Sequence, residues 1–153
     1  MDHELRLFAT DAAVRSVGDR MLARTLPKAE WTHEAHLATT LWLIAERPDI
    51  LPERDLPHLI RAYNESVGGV NSDTEGYHET ITQTYIRAIR AVLARTDPAL
   101  PLVDKVNALL KAPEGRRDWP LRFYSRERLF SAEARRRFVE PDGRSPLDGE
   151  EPL

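Results

Sequence analysis

Thr32-His33-Glu34-Ala35-His36-Leu37-Ala38-Thr39-Thr40-Leu41-Trp42-Leu43-Ile44 is the stretch on which the reading of the fold turns. Thr32 offers a side-chain oxygen to the unpaired backbone N–H groups of a helix start. Behind it His33, His36, Leu37, Thr40, Leu41 and Ile44 recur at three- and four-residue spacing. That period predicts an amphipathic helix that stops before Arg47-Pro48. The same period returns on both sides. Leu5, Phe8, Ala12, Val17, Met21 and Leu22 predict one or two helices over roughly 3–26. Downstream, Asp55 is a cap for a third helix that carries Leu56, Leu59, Ile60, Tyr63 and Val67 on one face, with Pro57 in its first turn and Gly68-Gly69 as its stop. After the polar loop 70–74 a long fourth helix is expected from about Glu75 to Arg95, aligning His78, Ile81, Thr82, Tyr85, Ile89 and Val92. A shorter fifth follows Pro101.

No alternation of strand length and no internal repeat is visible. The expectation is therefore an all-α protein: a single-domain bundle of about five helices over 1–140, with a flexible tail at 141–153. From Gly115 the composition changes to an Arg-rich, aromatic-bearing arm, with a short helix capped by Ser131, read as wrapping the bundle. Residues 114–144 hold nine Arg and six acids, a balance most simply met by Arg–Glu pairing onto the bundle. A partner-binding scaffold, with this arm as its interface, is one function this composition admits.

At 153 residues the chain buries a core without staples, and it has no Cys, which rules out disulfides, thiolate metal sites and cysteine nucleophiles. A net charge of -3 provides no global attraction to nucleic acid or to an anionic membrane. The longest apolar run is far short of a membrane span, and the first residues lack the layout of a secretory signal. A cytoplasmic location is the expectation.

Helices joined by short connections lie antiparallel, which would bring the starts of the second and fourth helices to one end. His33 and His36, about 60° and about 4.5 Å apart on one helix, and His78 on the other, would then converge there as ligands of one divalent transition metal. Helix N-termini favour the neutral imidazole that a metal requires. Zn, Fe, Ni, Cu and Mn all suit imidazole with oxygen and stay open as alternatives. So does the fourth ligand: Glu30, Glu79 or water. Glu79 is the candidate base and Tyr63 a second catalytic candidate, while Asn71 in the lid-like loop and Thr82 one turn below His78 are candidates for binding a substrate. Glu34 points about 130° away from the two His directions and reads as a solvated first-turn carboxylate. His3 and His58 read as surface residues.

Leu26-Pro27-Lys28-Ala29-Glu30-Trp31-Thr32-His33-Glu34-Ala35-His36-Leu37, joined to Gly76-Tyr77-His78-Glu79-Thr80-Ile81-Thr82, resembles a widespread group of small bacterial helical proteins of unknown function. The resemblance extends to residues 124–131 and 138–142. It implies that His33, His36, His78 and Glu79 belong to one recurring unit, and it transfers no reaction, substrate or metal. DinB-like metal-binding bundles offer an architectural analogy only, because their motif order differs. Two functions follow from the histidine constellation. One is a small metal-dependent enzyme of hydrolase or non-haem oxygenase or isomerase type, acting on a small molecule. The other is a non-catalytic metal- or small-ligand-binding helical protein. Neither reading calls for nucleic acid or membrane, and both admit a homodimer.

Overall fold

Thr10 decides where the first helix begins in the computed structural model, which describes residues 5–143. Its side chain accepts from the Ala13 N–H at 3.0 Å, so α1 spans Asp11–Leu22 rather than the longer segment expected. Phe8, before it, is tied to the bundle instead, where the Asn107 side chain exchanges hydrogen bonds with both its N–H and its carbonyl, each 2.9 Å. Seven helices and no strand make up the described residues, with α2 at His33–Glu46, α3 at Pro52–Ser66, α4 at Glu79–Ala94, α5 at Leu102–Lys111, α6 at Arg126–Leu129 and α7 at Ala132–Arg136. The all-α class is as the sequence predicts. Among the described residues no helix is long and apolar enough to cross a membrane.

Residue chemistry explains each boundary that moved. Pro52 opens α3 a turn early because Pro tolerates the first helical position and the Asp55 carboxylate reaches back to the Leu51 N–H at 2.9 Å. Pro57 therefore lies inside the helix. The carbonyl of Glu53, which Pro57 cannot serve, accepts instead from the Gln83 side chain of α4 at 3.1 Å. α4 starts four residues later than predicted, because His78 is not in its first turn but caps it: the Ile81 N–H donates to His78 Nδ1 at 3.1 Å. Before it, Gly76 turns the loop with φ of 85°, where any Cβ would strike the carbonyl of Val70.

The core is built around α2. Ala38, Thr39, Trp42 and Leu43 fill the face that the simple stripe would leave to solvent, so residues around the whole circumference are buried, as in a central helix. Gly18 lets α1 approach until it lies against the ring of Trp42. One continuous core joins Val14, Leu37, Leu41, Leu56, Ile89 and Leu109 from α1 to α5. The arm has its own cluster, Phe123, Tyr124, Leu129, Ala134 and Val139, seated on the start of α4 through Ile81. Thr80 joins the two: its hydroxyl donates to the carbonyl of Arg137 at 3.0 Å and accepts from the Val139 N–H at 3.2 Å. Ser131 caps α7 as expected. Of the predicted tail, residues 141–143 are tied back, with Asp142 bonded to the backbone and hydroxyl of Ser125 at 2.7 and 2.6 Å. Residues 144–153, like His3, lie outside the described residues.

Candidate functional site

The three expected metal ligands occupy three different environments. His33 Nε2 donates to the carbonyl of Gly115 at 2.8 Å, and its ring meets the edge of Tyr85 with centroids 5.6 Å apart. His36 Nδ1 donates to the carbonyl of Thr32 at 2.7 Å, and its ring lies on Trp31 with centroids 3.8 Å apart. Burial lowers its pKa to about 4. His78 has both nitrogens engaged, since Nδ1 accepts from Ile81 and Nε2 donates to the carbonyl of Leu129 at 2.7 Å. Burial pushes its pKa down as well. Register is the reason they do not gather. His33 sits beside Tyr85, seven residues and about 10 Å along the helix from His78. Among the described residues no group of three or more His, Cys, Asp or Glu is placed to hold a metal ion.

The other candidates serve the fold in ways their sequence positions did not reveal. Tyr63 is fully buried and donates to the carbonyl of Leu26 at 2.8 Å, bracing the connection from α1 to α2. Asn71 is the hub of its loop: its amide donates to the carbonyl of Arg61 and to Glu65, and its oxygen accepts from Asn64 and from the Tyr77 N–H. Thr82 bonds the carbonyl of His78 in its own helix at 2.8 Å. Glu30 pairs with Arg20 at 3.1 Å. His58 is exposed. Glu79 stands apart from all of these, accepting from the Tyr77 hydroxyl at 2.5 Å and from Gln83 at 3.3 Å beside a shallow cleft of about 470 Å³ that includes Arg90 and Phe138. Burial first, then the Glu79 carboxylate, raises the Tyr77 hydroxyl well above its usual pKa.

Glu34, set aside by the sequence reading as a solvated acid, is the correction that matters most. It is 4% exposed, and its Oε1 is buried with no hydrogen-bond partner. Arg117 pairs with it as an ion at 3.6 Å, beyond hydrogen-bonding distance. Glu34 and His33 line a cleft of about 740 Å³ together with Leu110, Ala112, Pro113 and Arg117. The far wall of the cleft is a polar turn held against the bundle by two backbone carbonyls. Gly115 receives His33, and Arg116 receives the Tyr85 hydroxyl at 2.6 Å. Gly115 has to be glycine, because a Cβ there would strike the carbonyl of Leu109. Helical period alone could not find this site, since the half that faces Glu34 comes from a turn some eighty residues away. The cue was the Arg-rich composition after Gly115, which marks a cationic segment but not its docking place.

The fold and this cleft define an all-α bundle with a buried carboxylate at the start of its central helix, ion-paired with Arg117 at 3.6 Å and lacking a hydrogen bond at Oε1. Comparison with family models, curated proteins and solved structures found no match to the chain.

Proposed function

We propose that this protein is a small-ligand-binding helical protein whose site is the cleft between the start of α2 and the turn 113–118. The observation that carries this reading is Glu34, buried and lining the cleft, with its Oε1 lacking a hydrogen bond. A carboxylate held away from water costs several kcal/mol unless its oxygens are satisfied. A ligand that brings N–H donors into the cleft satisfies them. His33 acts here as a positioning residue, since its bond to Gly115 holds the facing wall. The start of α2 adds a partial positive charge at the Glu34 end of the cleft. Mixed apolar and polar walls suit a molecule of modest size. The metal-enzyme reading has no comparable support, because Tyr63, Asn71 and Thr82 are engaged within the fold and Glu79 faces a different cleft.

The experiment measures the stability of the free protein and its ligand response together. Glu34→Leu removes a buried charge whose Oε1 lacks a hydrogen bond and is expected to raise the stability of the ligand-free protein by about 1 kcal/mol or more in chemical denaturation, while abolishing thermal stabilisation by amine-bearing compounds. If Glu34 is instead a structural residue satisfied by Arg117 or by water, the same variant loses stability, and the reading falls.

A further inference from the structure

Resting on that cleft, we propose that the ligand is a compact zwitterion of the free amino-acid type, whose ammonium pairs with Glu34 and whose carboxylate pairs with Arg117. The two side chains face each other at 3.6 Å without a hydrogen bond. Arginines elsewhere in the chain close fully on their acids, Arg15 on Glu46 at 2.8 Å and Arg95 on Glu114 at 2.7 Å, the usual length of such a contact. The Glu34–Arg117 pair stays open. Arg116, the neighbouring cation, is already paired with Asp118 at 3.1 Å. The cleft therefore presents one buried anion, Glu34, with Arg117 beside it and Lys111 also on its lining, and both members of the open Glu34–Arg117 pair keep hydrogen-bonding capacity.

The charge pattern selects among ligands. A simple amine would satisfy Glu34 but sit beside the like charge of Arg117, and a simple carboxylate would satisfy Arg117 but meet the buried Glu34. A molecule that carries both groups a few bonds apart answers both at once. Leu110, Ala112 and Pro113 supply an apolar wall for an aliphatic side chain. Arg117 is 44% exposed at its side chain, which leaves it room to turn from Glu34 to the incoming carboxylate as the ammonium takes its place.

Calorimetric titration of the full chain tests this with three probe sets: alanine, valine and leucine; the matched primary amines lacking the carboxylate; and the matched acids lacking the amine. An aliphatic amino acid is expected to bind, with its amine and acid counterparts each at least about tenfold weaker, and with Glu34→Gln and Arg117→Ala each costing at least about tenfold. Circular dichroism confirms that the variants fold, and the exposed Arg117 position keeps the test valid should the buried substitution fail to. Amines that bind as tightly as amino acids and ignore Arg117→Ala overturn the zwitterion but not the cleft. Silence from all three sets, with the stability gain of Glu34→Leu intact, does the same. Loss of that gain overturns the cleft itself.

Discussion

His78 caps α4 with one ring nitrogen and holds the arm with the other, which ties its protonation state directly to the fold. Nδ1 accepts from Ile81 only while it keeps its lone pair, so the ring is neutral with its proton on Nε2. Protonation would set a new N–H against the Ile81 N–H. His36 is subject to the same pressure through burial, with a pKa of about 4. A base whose pKa is depressed by folding is protonated first in the unfolded chain. Stability is therefore full above the unfolded value of about 6.5 and is lost as pH falls toward 4, by about 3 kcal/mol for His36 alone. Denaturant titrations at pH 7 and pH 4.5, with His36→Gln as the control that flattens this share, check the size. A ring-proton NMR titration in which His36 is already charged at pH 6 would contradict it.

At the scale of elements, the repair around Pro57 is the clearest coupling between helices. The Gln83 side chain of α4 satisfies the carbonyl that Pro57 leaves unserved in α3, and the Arg90–Glu53 pair at 2.5 Å lies beside it. Gln83→Ala is expected to cost about 1 kcal/mol in chemical denaturation, more than an exposed ion pair contributes, because an acceptor loses its donor. Thr80 is the matching device between α4 and the arm. Thr80→Val keeps the shape but strands the carbonyl of Arg137 and the N–H of Val139, for an expected loss of about 1–3 kcal/mol. Hydrogen exchange should locate that loss in residues 123–139. Uniform loss of protection across α1 to α5 would show instead that the arm and bundle unfold as one unit.

Across the whole molecule, the arm does more than cover the bundle. Truncation after Pro113 removes Phe123, Tyr124, Leu129 and Val139, all buried, and leaves His33 and His78 without Gly115 and Leu129 to bond. Each large buried side chain is worth about 1.5–3 kcal/mol, so the melting temperature of the truncated chain is expected to fall by well over 5 °C. An unchanged value would separate the arm from the stability of the domain. The proposed cleft would be lost in the same step, since Arg117 goes with the arm.

By itself the sequence determined the helical class, the caps at Thr32 and Ser131, the positions of α2 and α5, and the docking of an aromatic arm. Each of these follows from interactions within a few residues or from periodic burial, both of which are written locally along the chain. Only the tertiary structure decided where the histidines go. A shift of two helical turns between α2 and α4 sends His33 to Gly115 and His78 to Leu129, and no local pattern encodes that register. Tyr63 and Asn71 look the same in sequence whether they face a substrate or a backbone carbonyl; packing chose the carbonyls. Glu34 shows the reverse. A first-turn acid is ordinarily solvated, but this one is buried, and the turn at 113–118 folds back across the chain to line the same cleft.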